Sequence, residues 1–500
     1  MGLLNSRILG SQDSSLVDPE PPEATPGPSF ASRSRKRKLS SCDYLGPRVD
    51  ICESENQGVN LLQVLGIFCR KRVKIASRHA YQTLFLKGED SDIKIRALGK
   101  IWRLHKVFLC QSGYFANTLK GTWKESNNDI IELRVKDESI DRRSLHFVFG
   151  SLYLDEDLPL KPLQVPHVLA AACLLQVERV IQLCNETMKK TIGMKTVCSY
   201  YIAAETHRLK AVKTRCFEWL LHNFMTHARV QLYKELDVKL VYLLVSSSDL
   251  LVMGKEIDVY SRVKEWMFLC LHPSWKGSVD QLLDCTNSWL SQHMERLGSM
   301  TFLESEEGLV FQPVFKQLRL QHIIYDLPPT RILERDRLIP KEWLSSVYKQ
   351  QWLALFHAQQ DEEIGPQTIN EEELERCSMR CGKRIRKDGK YSWKWSACKF
   401  SFPLLVTFTS YCIIFKQRHP RCDGSPCLNH RRNVVFRITL VHFDSDGKIA
   451  FRKTTGYKTL TLDDEEHVVM KLGDTALPFP LYIFCNFLFI LPTAEDLAKY

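Results

Sequence analysis

The sequence predicts a multidomain α+β protein with a disordered N-terminal tail, and three observations lead to this prediction. The chain has 500 residues, enough for about three domains of roughly 150 residues each. Its hydrophobic fraction of 44% is typical of a folded protein. Along the chain the apolar pattern changes from mixed strand and helix, to helical, to extended. This order indicates a small α/β domain, then a helical domain, then a β domain.

Composition limits the possible classes of function. The 69 basic and 58 acidic residues leave a net charge of +11, which does not by itself indicate a nucleic-acid binder, so no direct nucleic-acid contact is predicted. The 17 cysteines are dispersed and no secretory signal begins the chain, which favours a reducing compartment. The longest apolar stretches reach about 15 residues, short of the ~20 that a spanning helix needs. No transmembrane segment is predicted.

Residues 1–77 are the predicted tail, because PEPPEATPGPSF and SRSRKRKLSS contain few periodic apolar positions that could bury surface. Two clusters of cations lie within it. They are Arg33, Arg35, Lys36, Arg37 and Lys38 in the first cluster, and Arg70, Lys71 and Arg72 in the second. We interpret them as a nuclear localisation signal, since a receptor can reach a basic run in flexible sequence. The alternative is a solvated charge run without a receptor.

The first six residues, MGLLNS, fit the N-myristoylation pattern. Gly2 becomes the N-terminus after Met1 is removed, and Ser6 stands at the required position. A pattern this short also occurs by chance, so both interpretations stay open. One acyl chain would hold a membrane only weakly and reversibly.

Residues 78–188 are predicted to form the α/β domain. In DIKIRAL, Ile93 and Ile95 alternate with charged residues, which indicates a half-buried strand, and LHKVFLCQSGYF indicates two short helices. We interpret His105 in the second stretch as a hydrogen-bonded structural histidine. These motifs, followed by FGSLYLDE and VLAAACLLQVERVIQLC, resemble a BTB (POZ) domain. The resemblance implies a homodimer.

Residues 189–300 are predicted to be all helical. VCSYYIAAETHRLKAVKTRCFEWLLHNFM has apolar residues three or four apart, which is typical of amphipathic helices. The Ala204–Glu205 pair and Trp266 at the end of a helix resemble the BACK domain that follows BTB domains in adaptor proteins. Residues 301–390, which include the acidic stretch QDEEIGPQTINEEELE, are predicted to be a linker with helices.

Residues 391–495 are predicted to form an antiparallel β-sandwich. Runs rich in β-branched and aromatic residues, such as LLVTFTSYCIIFKQ and NVVFRITLVHF, are separated by turn-forming residues. The region lacks the repeat of about 40 to 50 residues that a propeller requires, so the kelch architecture is excluded.

The sequence contains no recognisable catalytic constellation. Walker-type, GxGxxG, GxSxG and HExxH motifs are absent, so we predict no enzyme activity and no cofactor. The nearest approach to a metal site is HPRCDGSPCLNH. Its four zinc-type side chains are His419, Cys422, Cys427 and His430. Their spacing matches no standard finger, so we favour ordinary loop cysteines over zinc.

The segment LKGTWKES contains the main predicted protein-interaction motif of the chain. In BTB adaptors that bind cullin-3, a loop after the central helices holds a hydrophobic residue, any residue, then Glu. Trp123, Lys124 and Glu125 match that pattern in the matching place. A large aromatic side chain can fill a pocket on a partner while the carboxylate pairs with a cation. The alternative is a Trp packed on its own domain beside a solvated Glu.

The order of basic tail, BTB, BACK and a non-kelch β domain, with GTWKES and EWLSSVYKQQW, resembles the germ cell-less family over most of the chain. The resemblance implies a substrate-specific adaptor of a cullin-3 RING ubiquitin-protein ligase with a role in germ-cell development or spermatogenesis. The β domain would bind a target protein that the sequence does not identify. The rival implication is a scaffold or transcriptional cofactor at the nuclear matrix or nuclear envelope, with a DP-type transcription-factor subunit and nuclear-envelope proteins as partners. The basic tail suits either implication, and we predict a nuclear location, at the nuclear matrix or the periphery of the envelope.

Overall fold

A computed structural model of the chain describes residues 78–120, 130–156, 158–226, 230–360, 370–396, 403–417, 432–462, 465–473 and 477–490. All of them belong to one compact unit, Leu65–Tyr500. The predicted tail, residues 1–77, lies outside the described residues. The rest confirms the predicted α+β multidomain class: an α/β domain, a helical domain and antiparallel sheets follow one another along the chain.

The first domain is built on a three-stranded sheet. Strand β1, Ile93–Ala97, pairs antiparallel with β2, Lys100–Leu104, and parallel with β3, Ile130–Glu132. The alternation seen in the sequence is the burial pattern of β1, whose apolar side chains are buried while its charged side chains are exposed. The two residues that join β1 to β2, Leu98 and Gly99, both have positive φ, the conformation of a tight hairpin turn.

Helices cover this sheet. They are the π-helical turn Tyr81–Leu86 and the α-helices Lys106–Leu109, Gly113–Lys120, Arg142–Ser151, Val165–Leu175 and Glu178–Thr191. The central one is Val165–Leu175, in which Ala170, Ala171 and Ala172 are all buried. Small side chains at these positions allow neighbouring helices to approach closely.

The second domain is helical. Its α-helices are Val197–Thr206, Lys210–Asn223, Val230–Glu235, Val238–Ser246, Glu256–Leu271 and Val279–Leu297. Helix Glu256–Leu271 lies at the centre, with Tyr260 and Trp266 fully buried. Polar residues of this helix, such as Lys264, are buried as well, so each of them needs a partner inside the protein.

The region predicted as a linker with helices packs into the same hydrophobic core up to Leu344. Its α-helices are Gln312–Phe315, Leu327–Asp336, Lys341–Gln359 and Glu371–Cys377. Buried aromatic side chains, among them Phe302, Phe311 and Phe315, lie in 3₁₀ turns or in a four-residue helix. Elements this short show no helical period in the sequence, which is why the sequence predicts only a linker with helices here.

The C-terminal strands form two sheets. One has the order β10-β8-β12-β4, with β9 also paired to β8; the other has the order β11-β7-β6-β5. The strands are β4 Met379–Ile385, β5 Tyr391–Ser396, β6 Pro403–Phe408, β7 Cys412–Gln417, β8 Arg432–Phe443, β9 Ile449–Thr454, β10 Lys458–Leu462, β11 His467–Lys471 and β12 Leu481–Ile490. All of the pairings are antiparallel, and one buried apolar cluster draws its side chains from both sheets. This is a β-sandwich.

Strand β4 begins before residue 391, where the β domain was predicted to start, and pairs with β12. The sequence MRCGKRI does not alternate apolar and polar residues in the way that a half-buried strand usually does. Arg380 is buried in it because the arginine pairs with a carboxylate of the helical domain. A buried ion pair of this kind leaves no hydropathy signal.

Candidate protein-interaction surfaces

The predicted site residues lie outside the described residues. The segment 121–129, which contains Trp123, Lys124 and Glu125, connects helix Gly113–Lys120 to β3. Three further predictions also lie outside the described residues: the cations of the tail, the Gly2 acylation site, and the zinc-type group His419, Cys422, Cys427 and His430. Within the described part of the chain, no group of three or more His, Cys, Asp or Glu side chains could hold a metal ion. No helix described there is long and apolar enough to cross a membrane.

Both sides of segment 121–129 are tied to the core of the first domain. At the start of the preceding helix, Gly113 N donates to Gln176 O at 3.2 Å and Ser112 Oγ donates to Leu175 O at 2.5 Å. Phe115 of the same helix is fully buried. After the segment, β3 continues the sheet beside β1. The core therefore holds the helix and the strand on either side of the predicted cullin-binding motif.

His105 has the surroundings predicted for it. Its Nδ1 lies 3.0 Å from the Tyr153 hydroxyl, and its Nε2 lies 2.8 Å from Glu89 O. The Tyr153 hydroxyl also accepts from His105 N at 3.0 Å. Burial raises the pKa of Tyr153 to about 12, so this phenol stays protonated. These hydrogen bonds join the start of a helix to a later helix end, which is a structural role.

One sheet of the β-sandwich is docked on the helical domain. The outer face of β8 and β12 packs Val441, Phe443, Tyr482 and Phe484 against Leu251. Polar contacts surround this cluster: Asn486 Nδ2 donates to Ser248 O at 2.8 Å, and Arg437 Nη1 lies 2.8 Å from Asp249 Oδ1. Asn223, the last residue of the helix Lys210–Asn223, donates from Nδ2 to Gly447 O, between β8 and β9, at 2.8 Å.

A backbone bridge closes the same interface. Gly382 N donates to Gly254 O at 3.0 Å, and Gly254 N donates back to Gly382 O at 3.3 Å. A Cβ atom at residue 382 would lie 2.3 Å from Val252 O and 2.9 Å from Phe484 Cδ1. Glycine is therefore required at 382, because the two backbones could not approach this closely with any side chain between them.

Buried charges join the helical domain to β4. Arg380 Nη2 lies 2.5 Å from Glu256 Oε1, and Arg380 Nε lies 3.2 Å from Glu256 Oε2, a two-point contact between side chains that are 1% and 0% exposed. Arg380 Nη1 also donates to Val245 O at 2.7 Å and to Ser247 O at 3.0 Å. Arg319 N donates to Glu256 Oε1 at 3.2 Å.

The pKa shifts follow from these contacts. Burial by itself would raise the pKa of Glu256, but Arg380 and Arg319 hold the pKa below its ordinary value. Burial, and then the neighbouring charge of Arg380, lower the pKa of Arg319 to about 9. Burial lowers the pKa of His322 to about 4, and its Nε2 donates to Cys377 O at 2.6 Å. At neutral pH the Glu256 carboxyl is therefore ionised, the Arg319 guanidinium is charged and the His322 imidazole is neutral.

The second sheet turns its outer face away from the sandwich core. On this face β5 places Lys394, β6 places Leu405, β7 places Ile414 and Lys416, and β11 places Val468 and Lys471. We call this set of six residues the lysine face. Val468 is 52% exposed, and Leu405 and Ile414 are half-buried. The alternate residues of β6 and β7, such as Val406 and Phe415, are buried in the sandwich.

The β region carries most of the net charge of the chain. Residues 379–490 contain 19 Lys and Arg and 9 Asp and Glu, so their net charge is 19 − 9 = +10 against +11 for the whole chain. The total charge, which is modest for 500 residues, hides this concentration. Counting charge by region would have identified the β domain as the basic part of the protein.

Comparisons with known proteins agree with this architecture. The BTB/POZ domain family matches residues 81–192, and the BACK family (BTB And C-terminal Kelch) matches residues 197–286. The chain is 63% identical to Germ cell-less protein-like 2 of Mus musculus, over 99% of this chain and 100% of that protein. It is 53% identical to Germ cell-less protein-like 1 of Homo sapiens, over 85% and 83%. It is 30% identical to Protein germ cell-less of Drosophila melanogaster, over 86% and 80%.

Proposed function

The chain belongs to the germ cell-less family, with a BTB and a BACK domain, and from this we propose that it is a substrate-specific adaptor of a cullin-3 RING ubiquitin-protein ligase acting in germ-cell development or spermatogenesis. One observation carries the proposal. The hydrophobic-x-Glu segment Trp123–Glu125 lies in the BTB domain, ahead of a BACK domain and a separate β-sandwich. A partner-binding end and a second interaction domain in one chain are the parts that an adaptor needs.

The proposal divides the tasks among the domains. The BTB domain forms a homodimer and binds cullin-3, the BACK domain extends the arm, and the β-sandwich binds the target protein. The recruited conjugating enzyme performs the chemistry. The adaptor contributes proximity, because a target held beside the charged enzyme reacts as if at a high local concentration.

The junction between the helical domain and the sandwich supports this division. The Glu256–Arg380 pair, the Gly254–Gly382 bridge and the cluster around Leu251 make an interface that combines buried apolar packing with a buried ion pair and backbone hydrogen bonds. Domains joined by a small polar interface usually move relative to one another. An interface of the present kind would keep a bound target at a fixed position relative to the cullin-binding end.

Reconstitution tests the proposal. The purified full-length chain, mixed with the purified N-terminal domain of cullin-3, is expected to form a complex with two copies of each protein by sedimentation velocity. With the complete ligase and ubiquitin added, lysines of the chain itself are expected to be modified, because they lie near the charged enzyme. A dimeric chain that forms no complex at micromolar concentration would favour the scaffold or transcriptional cofactor, whose partners would include a DP-type subunit or nuclear-envelope proteins.

We propose a nuclear location, at the nuclear matrix or the periphery of the envelope, on the strength of the first basic cluster. Replacing Arg33, Arg35, Lys36, Arg37 and Lys38 with alanine is expected to move the fluorescently tagged chain from the nucleus to the cytoplasm, because an import receptor binds the cations directly. The matched control replaces Arg70, Lys71 and Arg72, so that the contribution of each cluster to import is measured separately. An unchanged nuclear signal in the five-residue variant would assign import to the second cluster or to a partner.

A further inference from the structure

We propose that the lysine face, formed by Lys394, Leu405, Ile414, Lys416, Val468 and Lys471, binds an acidic, extended segment of the target protein that also carries apolar side chains. This inference rests on the proposed function, in which the β-sandwich binds the target, and it names the surface and the chemistry of the segment. The other sheet cannot present its outer face in the same way, because β8 and β12 use that face to pack on the helical domain.

The register of the strands sets the pattern of the lysine face. Lys394 pairs with Leu405, which pairs with Lys416, so one row across the sheet reads cation, apolar, cation. With strands spaced about 4.8 Å apart, the two lysine Cα atoms lie roughly 10 Å apart. In the neighbouring row, Ile414 pairs with Val468. Lys471, opposite Cys412, begins the next row. The three apolar side chains and the three lysines are thus interspersed over two interior strands and the two edge strands of this sheet.

The cations of this face are almost uncompensated. Lys416 Nζ lies 3.8 Å from Glu466 Oε1, a long contact between side chains that are 38% and 63% exposed, which is worth little. Neither Lys394 nor Lys471 forms an ion pair with any described residue. Lys453, on β9 of the other sheet, donates from Nζ to Lys471 O at 2.8 Å, so a further ammonium group lies at the edge of this sheet. A partner with carboxylates would supply the missing negative charge.

The surroundings favour a polypeptide over a nucleic acid. Single-stranded nucleic acids bind basic grooves that also present aromatic rings for the bases to stack on. The strand positions on the lysine face present lysines, aliphatic side chains, Ser392, Thr407 and Cys412 instead. Aliphatic side chains between cations match a peptide in which apolar and acidic residues are interspersed, since the apolar ones gain from burial while the carboxylates meet the lysines.

Peptide binding to the full-length chain tests the inference. The probe is a fluorescein-labelled 12-residue peptide with the repeat Glu-Glu-Val-Val, which places both residue types on each face of an extended chain, and fluorescence anisotropy measures its affinity. We expect this peptide to bind more tightly than a Lys-Val peptide of the same length, and more weakly as salt is added. The variant K394E/K416E/K471E is expected to lose at least about tenfold in affinity, because three attractive contacts become repulsive.

The control variant reverses the charge of three exposed basic residues elsewhere in the same domain. K383E/R386E/K458E changes the net charge equally and is expected to stay within about twofold of the parent, because these residues lie on or next to strands of the other sheet. Should the lysine-face variant unfold, K394Q/K416Q/K471Q makes the same comparison with smaller changes. Equal losses in the lysine-face and control variants, or no preference for the acidic peptide, would overturn the inference. Tighter binding of a 20-residue oligo(dT) that depends on the lysine face, without binding of the acidic peptide, would assign a nucleic acid instead.

Cullin-3 binding, measured on the same samples, separates this inference from the proposed function. The lysine-face variant is expected to bind cullin-3 as the parent does, since its changes lie in the sandwich and not in the BTB domain. If the parent chain binds the acidic peptide but not cullin-3, the adaptor proposal fails while the assignment of the face stands. If it binds cullin-3 but not the peptide, only the assignment of the face fails.

Discussion

Replacing Trp123 and Glu125 together with alanine is expected to weaken cullin-3 binding by roughly 30- to 1000-fold, the effect of losing ~2–4 kcal/mol at an interface hot spot. An aromatic side chain that fills a pocket on the partner contributes more to affinity than its neighbours do, and truncation leaves that pocket empty. Isothermal titration of the cullin-3 N-terminal domain into the full-length variant measures the loss.

The double variant is expected to remain a folded dimer. Segment 121–129 follows a helix held by the buried Phe115 and by the Ser112 hydrogen bond, and it precedes β3, which pairs with β1. These contacts do not involve Trp123 or Glu125, so the two truncations leave them unchanged. An unaltered melting temperature and dimer mass would establish that any loss of affinity belongs to the interface.

Lys124→Ala is the matched control. It truncates a long side chain within the same segment, at the position that the motif leaves unrestricted, and is expected to change the affinity by no more than about twofold. Undiminished binding by a folded Trp123→Ala/Glu125→Ala variant would show that the motif does not bind cullin-3. The cullin-3 adaptor proposal would then lose its main support. A loss as large in Lys124→Ala would indicate that the shape or charge of the segment matters, and not the pattern.

The parts of the fold that the sequence predicted are those in which burial follows a regular period. Strand β1 alternates as DIKIRAL suggested, and β6 and β7 lie within the run interpreted as extended. Strand β4 was missed because one of its buried side chains is the charged Arg380, and the packed residues around Phe311 were missed because their turns are too short to repeat. Both failures have one cause: a tertiary contact, and not a local pattern, decides burial there.

The two proposed interaction surfaces differ in the same respect: one can be predicted from the sequence, and the other depends on tertiary structure. The segment Trp123–Glu125 was identified by its resemblance to a motif, and it lies outside the described residues. The lysine face requires the strand register, because Lys394, Lys416 and Lys471 are separated along the chain and come together only when β5, β6, β7 and β11 pair. The basic character of this region is visible in the sequence, but its arrangement on one face is not.

The junction also determines how the domains can be separated. Cutting the chain at residue 391, the predicted start of the β domain, would leave β4 without β12, its pairing partner. Removing everything after residue 369 would leave Glu256 without Arg380 and expose Leu251. Point substitutions on the lysine face therefore test target binding more cleanly than a deletion does.

Arg380→Met is expected to lower the free energy of unfolding by about 3–5 kcal/mol, because it leaves the buried Glu256 carboxylate without its main partner. Methionine keeps much of the length and volume of the arginine stem, so the loss reports the charge and not a cavity. It also removes the two hydrogen bonds that Arg380 Nη1 donates to Val245 O and Ser247 O, at the end of the helix Val238–Ser246. Urea titration of the full-length chain, followed by tryptophan fluorescence, measures the change.

Two further substitutions identify the cause. Arg384→Met changes an exposed arginine on the same strand, whose guanidinium lies 5.5 Å from the Tyr482 ring centre, and is expected to cost no more than about 1 kcal/mol. Adding Glu256→Gln to Arg380→Met is expected to restore part of the stability, because a neutral amide is cheaper to bury than an unpaired carboxylate. If Arg380→Met cost as little as Arg384→Met, water or another cation would be compensating Glu256, and the buried pair would not be what fixes the sandwich on the helical domain.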